Sequence, residues 1–156
     1  MLQNTEPQSN GITLKEVDQH NYLDCIRLSL LPEQQENLAS NAITIAQSKF
    51  EPHYRLKAIC LNQKVIGMLA FCHEDEPEDF ELFWLFRFMI DARHQNQGYG
   101  SRVLALLVDE VRALGGKRLR TMHKPANCQA SRVYQTFGFR EIGTLDDGDT
   151  LLTLEL

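Results

Sequence analysis

The sequence predicts an α/β domain built on one mixed sheet. Three observations carry that expectation. Short β-rich runs alternate with helix-favouring segments, the pattern of strands and helices that share one core. Glycines close the two later helical segments, at Gly115-Gly116 and Gly138, as they commonly do at helix ends. The 156 residues are 43% hydrophobic and 24% charged, which supplies one real core but not two full-sized domains.

Taken in order, residues 1–10 are polar and read as a flexible tail ahead of a single domain over residues 11–156. Ile12 to Val17 alternates apolar and polar side chains as a short strand does. A helical region follows in two pieces, Asn21 to Leu30 and Asn41 to Lys49, interrupted by Pro32. Tyr54 to Leu61 and Val65 to Cys72 are β-rich runs joined by Asn62-Gln63-Lys64, which suggests an antiparallel hairpin. The acidic stretch from Glu74 to Glu81 reads as a loop. Phe80 to Ile90 is aromatic and continuous enough for a central strand covered on both faces. Ser101 to Leu114 and Asn127 to Phe137 read as helices, with a strand from Leu119 to His123 between them. Two final strands, Phe139 to Thr144 and Thr150 to Leu156, flank the turn at Asp146-Asp147-Gly148-Asp149.

The formal net charge of -5 argues against a nucleic-acid partner, because neutralising phosphates needs an excess of Lys and Arg. One segment accounts for that balance: Glu74, Asp75, Glu76, Glu78, Asp79 and Glu81 are acidic with no base among them. No apolar run approaches the ~18 to 20 residues that span a bilayer, and Met1 to Asn10 resembles no signal peptide, so a cytoplasmic, membrane-free protein is expected. Cys25, Cys60, Cys72 and Cys128 stand far apart with no C-x-x-C pair, which predicts reduced thiols and no metal site.

The most informative segment runs Met89-Ile90-Asp91-Ala92-Arg93-His94-Gln95-Asn96-Gln97-Gly98-Tyr99-Gly100-Ser101. A strand passes through a polar glycine turn into a helix, which points backbone N–H groups and the positive helix end at one spot suited to a phosphate or pyrophosphate. Side chains at Gly98 and Gly100 would obstruct the approach of such an anion. A dinucleotide fingerprint would need glycine where Val103 stands, and a Walker loop would need Gly-Lys-Ser/Thr, whereas Gly116-Lys117 continues with Arg118.

Gln95-x-x-Gly98-x-Gly100 resembles the signature of the GNAT superfamily of acetyl-CoA-dependent N-acetyltransferases. A second motif agrees: Asn127, Ala130, Tyr134, Gly138 and Phe139 resemble the family's N-x-x-A-x-x-x-Y-x-x-x-G-F. The order of elements matches from about Ile12 to Leu156. Within the superfamily the chain is most similar to the bacterial diamine and spermine/spermidine acetyltransferase group, through Arg87-Phe88-Met89-Ile90-Asp91 and the late turn Asp147-Gly148-Asp149. Where that group tends to have Ser-Tyr-Glu-Pro-Glu-Asn, this chain has Met122-His123-Lys124-Pro125-Ala126-Asn127. The resemblance implies a GNAT-type mixed, mostly antiparallel sheet of about seven strands flanked by about four helices, with acetyl-CoA as co-substrate.

It also implies roles. The backbone of Phe88, Met89 and Ile90 would hold the pantetheine arm, Gln95, Asn96, Gln97, Gly98, Tyr99, Gly100 and Ser101 would cradle the pyrophosphate, and Asn127 would meet the pantetheine amides. Tyr134 would sit near the sulfur as general acid for the leaving thiolate. Arg93, Arg102 and Arg132 are candidates for the phosphates. Many relatives carry a carboxylate base at the position of Trp84. Glu81, three residues earlier, is the leading candidate base here, with His73 and His123 as alternatives. Glu74, Asp75 and Glu76, with Trp84 and Phe86 adding cation-π contact, would attract a cationic acceptor if the acidic segment lines its cleft; otherwise they are a solvated loop and core aromatics.

The expected activity is direct transfer of acetyl to a primary amine of a small cationic acceptor, a polyamine such as spermidine or spermine or a diamine. Other acceptors (a peptide or protein amine, an amino acid, an aminoglycoside) and a non-catalytic CoA-binding module are the alternatives. The resemblance makes a homodimer through the C-terminal strand region reasonable.

Overall fold

The alternating segments become seven strands among the described residues, which in this computed structural model are 11–37 and 40–156. The strands are β1 (Ile12–Glu16), β2 (Arg55–Leu61), β3 (Lys64–Asp75), β4 (Glu78–Ile90), β5 (Arg118–His123), β6 (Arg140–Thr144) and β7 (Thr150–Glu155). They form one sheet in the order β1-β2-β3-β4-β5-β7-β6, antiparallel throughout except for the parallel pair β4 and β5. The helices are α1 (Tyr22–Ile26), α2 (Asn41–Ser48), α3 (Tyr99–Ala113) and α4 (Cys128–Phe137), with 3-10 turns at Pro32–Asn37 and Ala92–His94. The expected tail at 1–10 lies outside the described residues. No helix among the described residues is long and apolar enough to cross a membrane.

Helix α3 organises the main core. Its Val103, Leu104, Leu107, Val108 and Val111 recur at helical spacing and pack on Ile59, Ile66, Phe71, Phe83, Leu85 and Leu119 of the sheet. Each such fully buried side chain contributes roughly 1.5 to 3 kcal/mol of transfer free energy. On the opposite face a smaller cluster joins Cys25 of α1 to Ala58, Cys60 and Met68. Cys25, Cys60 and Cys72 are buried free thiols and Cys128 is exposed; burial pushes Cys25 and Cys72 up to about 12.

Four expectations are corrected. The helix expected from Asn21 to Leu30 ends at Ile26, because the following chain pairs with the end of β4 instead: Ser29 N–H donates to Asp91 Oδ2 at 3.2 Å and Ala92 N–H to the Ser29 carbonyl at 2.8 Å. The acidic loop is no loop, since β3 and β4 extend through it as a hairpin with Asp75 opposite Glu78 and only Glu76-Pro77 between them. The hairpin between β2 and β3 turns on two residues, with Lys64 already paired to Leu61. Strand β4 is central but not covered on both faces throughout: Glu78 to Glu81 are exposed, as is Phe80, and Trp84 and Phe86 are only partly buried.

Asp91 anchors the end of β4. It is buried, and its carboxylate accepts from the N–H groups of Ser29 and Arg93 and from Arg93 Nε at 3.1 Å. Burial acts to raise its pKa, but the two backbone donors and the Arg93 guanidinium outweigh burial and hold the carboxyl below its usual value. The contribution to stability is therefore present above the ordinary carboxylate value of ~3.9 and is lost as pH falls through the lower folded value. Asp91→Asn should destabilise the protein by about 2 kcal/mol at pH 7 in urea unfolding, with the gap from wild type closing below about pH 4. A gap that persists unchanged at low pH would contradict this account.

Candidate active site

The site begins where two strands stop pairing. β4 pairs with β5 only from Leu82–Arg118 to Leu85–Thr121. On its other side β4 carries one residue too many: Ala70 pairs with Arg87 and Phe71 with Leu85, so Phe86 is a bulge. A bulge bends its strand and sharpens the local twist, which accounts for the departure of β4 from β5 at this point. Beyond it, Phe86 to Ile90 line a groove of about 510 Å³. This stretch offers about 16 Å of strand edge toward an opening that no strand fills.

The glycine turn forms one end of the groove, which Gln95, Asn96, Gly98, Tyr99, Gly100 and Ser101 all line. Gly98 is the N-cap of α3 at φ +80, with no side-chain cap, so the first N–H groups of the helix keep their capacity for an anion. A Cβ on Gly98 would meet nothing within 4 Å, so its requirement is the left-handed backbone and the open space in front of it. Gly100 has a different reason: a Cβ there would lie 3.3 Å from Val133 Cγ1, so glycine lets α4 close on α3. The Gln95 side chain holds the turn, donating to the Ile90 carbonyl at 2.9 Å and exchanging hydrogen bonds with Gln34. Gln129 of α4 also bonds to Gln34, linking both rims. Gln97 is the exception in this segment. It does not line the groove, because its amide turns back to the Arg93 carbonyl at 3.3 Å.

The other wall comes from β5 and α4. Asn127 caps α4, its Oδ1 accepting from Ala130 N–H at 3.2 Å, and it also lines the groove. Tyr134 is buried, faces His123 in a stack at 6.5 Å and meets Phe139 edge-on at 5.4 Å. Burial pushes its phenol up to about 12, opposed by a hydrogen bond with Thr121. Thr121 Oγ1 donates to the Leu85 carbonyl at 2.9 Å, the last paired residue of β4. The phenol therefore stands at the vertex of the split and keeps its proton at any neutral pH.

Several expected residues lie elsewhere. Glu81 is exposed outside the groove and pairs with Lys117 at 3.0 Å, on the part of β4 still joined to β5, so it is not placed to act as base. Trp84 does not line the groove either; its indole N–H donates to Glu74 Oε2 at 2.9 Å and Arg120 lies over its ring. Glu74, Asp75 and Glu76 belong to the hairpin and its turn, Asp75 pairing with His53 at 3.3 Å. His73 pairs with Glu78 at 3.5 Å and is likewise outside. Of the arginines, Arg132 lines the groove, Arg93 holds Asp91 and Arg102 lies over the Tyr99 ring. His123 and Phe86 do line it.

The sequence reading missed Gln34, Thr121, Gln129, Asp147 and Asp149 as groove residues. Thr121 and His123 share the inward face of β5 by alternation, a signal that was available. Gln34 carried none; the Asp147–Asp149 turn carried part of the family resemblance, but nothing in it said that it faces the groove.

The acetyltransferase (GNAT) family model matches residues 19–139. The spermine/spermidine N(1)-acetyltransferase of Bacillus subtilis (strain 168) is 28% identical over 151 residues, which cover 94% of this chain and 99% of the relative. Among solved structures, a spermidine N-acetyltransferase from Vibrio cholerae in complex with CoA and spermine matches at TM-score 0.74 and 14% identity, over 93% of this chain and 95% of that one. An aminoglycoside acetyltransferase in complex with coenzyme A matches at TM-score 0.72 and 18% identity, over 92% and 94%. At these identities the structures speak for the fold alone.

Gly98→Asp should lower affinity for CoA at least ~100-fold in calorimetry, since it sets a like charge where the pyrophosphate would lie, while folding stability falls only by the ~1 kcal/mol of a left-handed non-glycine residue. Retained CoA affinity would show that the turn does not hold an anion.

Proposed function

The chain belongs to the acetyltransferase (GNAT) family, and from that premise we propose that it transfers acetyl from acetyl-CoA directly to a primary amine of a small polycation, a polyamine such as spermidine or spermine or a diamine. The observation that carries this reading is the convergence of three features on one groove: an unpaired β4 edge, an uncapped helix N-terminus behind Gly98, and a buried protonated phenol at the vertex.

The β4 edge at Phe88, Met89 and Ile90 is suited to receive the pantetheine arm as a strand would be received, and an N–H there polarises the thioester carbonyl. Such a donor speeds the reaction only as far as it binds the tetrahedral oxyanion more tightly than the ground-state carbonyl. The turn from Gln95 to Ser101 takes the pyrophosphate, and Arg132 is a counter-charge on the α4 side.

Tyr134 serves the departing sulfur. A thiol near ~8.5 is a stronger acid than a phenol at about 12, so outright transfer from Tyr134 to a free thiolate runs uphill by roughly 5 kcal/mol. The favourable role is a hydrogen bond from the phenol to sulfur as charge develops there, in a dry site, with Tyr134 remaining a phenol afterwards. Direct transfer fits the thiols as well, since Cys25 and Cys72 are held protonated by burial and Cys128 is exposed outside the groove.

The polyamine class is supported by the curated relative aligned along nearly the whole chain. Thiol release from acetyl-CoA, followed with spermidine, spermine, a diamine, an amino acid, a lysine peptide and an aminoglycoside, tests it: polyamines should give the highest kcat/KM. CoA binding without turnover on any amine would overturn the enzyme reading. Tyr134→Phe should lower kcat by about 10- to 100-fold with CoA affinity nearly unchanged; unchanged kcat would remove Tyr134 from the chemistry.

A further inference from the structure

Three aromatic neighbours hold the ring of Tyr134: Phe88 with ring centres 6.4 Å apart, His123 in a stack at 6.5 Å and Phe139 edge-on at 5.4 Å. These contacts place the phenolic oxygen but leave rotation about its C–O bond free, and that rotation decides where the proton points. Thr121 controls it. This threonine is 1% exposed, lines the groove together with Tyr134 and is hydrogen-bonded to the phenol.

The direction of that bond follows from where Thr121 sends its own proton. A hydroxyl has one hydrogen and two lone pairs. Thr121 Oγ1 donates to the Leu85 carbonyl at 2.9 Å, a group that can only accept. Toward the phenol it therefore offers lone pairs, so Tyr134 O–H donates to Thr121 Oγ1. The sheet sets the end of this relay, because Leu85 is the last residue of β4 paired with β5 and its ladder partner is Thr121 itself. A β-branched side chain is stiff at χ1, which keeps Oγ1 at the junction.

With its proton on Thr121, the phenol presents only lone pairs to the groove. To donate to sulfur it must rotate away from Thr121. The threonine hydroxyl can answer that rotation by turning from the Leu85 carbonyl to the phenolic oxygen, and an oxygen that accepts one hydrogen bond donates another more strongly. No proton leaves either oxygen; only the two O–H bonds change direction. The Thr121 hydroxyl also opposes the upward push of burial on the Tyr134 phenol, the sense expected of a group able to donate to that oxygen.

We propose that Thr121 is a positioning residue for acetyl transfer, holding the Tyr134 proton out of the groove until charge appears on sulfur and then reversing its own O–H to reinforce the bond from phenol to sulfur. The inference rests on the acetyl-transfer reading and adds to it the group that aims its donor. The split of the sheet thus does two things at one residue: Thr121 ends the β4–β5 ladder and sets the direction of the phenol beside it.

Thr121→Val keeps the shape of the side chain and removes the hydroxyl, as Thr121→Ala also does. Each should lower kcat by about 10-fold, with KM for acetyl-CoA and calorimetric CoA affinity within about twofold of wild type, while Thr121→Ser should recover most of the loss. The decisive measurement is the cycle with Tyr134→Phe. In that background Thr121→Val should change kcat by less than about twofold, because there is no phenol left to aim. Losses that multiply independently, a hydroxyl-free variant as fast as wild type, or Thr121→Ser as slow as Thr121→Val would overturn the proposal. Wild-type protein that binds CoA and turns over no amine would overturn the acetyl-transfer reading and this inference with it, whereas turnover insensitive to Thr121 removes the inference alone.

Discussion

The extra residue at Phe86 is the constraint on which the rest of the site depends. Because β4 carries a bulge against β3, it bends away from β5 after Leu85, and the parallel ladder that would have closed the middle of the sheet ends at Thr121. The opening that results is bordered by the edge of β4 left unpaired to β5 beyond Leu85, which suits an extended ligand whose amides need partners. It also explains why Thr121 and Leu85 meet through a side-chain hydrogen bond at the last paired position, with Tyr134 directly behind. The bulge makes the groove, and α4 brings Tyr134 to its inner end.

A split sheet would be a weakness without the packing around it. Helix α3 covers the join on one side with a continuous apolar stripe, and Gly100 lets α4 lie against it within van der Waals contact of Val133. On the β3 side, Gly67 approaches the Met89 carbonyl so closely that a Cβ would stand 2.4 Å from it, so β4 is held firmly where it faces the groove. Asp91 then ties the end of β4 to the chain leaving α1. The groove is thus an interruption in one ladder bordered by rigid contacts, a preorganised cleft rather than a soft one.

Charge is distributed by the same geometry. The carboxylates of the hairpin are engaged with local partners: Glu74 with Trp84, Asp75 with His53, Glu78 with His73 and Glu81 with Lys117. The ion pairs with exposed carboxylates contribute little to stability, and these groups belong to the β3–β4 hairpin, ahead of the Leu82–Leu85 stretch that pairs with β5. Inside the groove the balance is mixed, with Asp147 and Asp149 against Arg87, Lys124 and Arg132.

The order of strands and helices was legible in the sequence because alternation, helical spacing and glycine stops are properties of near neighbours along the chain; Leu104, Leu107 and Val111 declare a buried face without reference to anything else. The glycine turn and Tyr134 were legible for a related reason, since Gly98, Gly100, Asn127 and Tyr134 occur at spacings fixed by the two helices that carry them. What local pattern did not hold was the fate of the acidic stretch, of Glu81 and Trp84, and of the Asp147–Asp149 turn. Whether a residue of β4 reaches the groove depends on where β4 parts from β5, which a single bulge against β3 decides, and whether a turn lies at the groove mouth depends on β7 inserting between β5 and β6. The sequence by itself determined the elements and the anion-receiving turn; the pairing of strands distant in the chain decided which charges face the reaction, because pairing sets face and edge and those are not properties of any short segment.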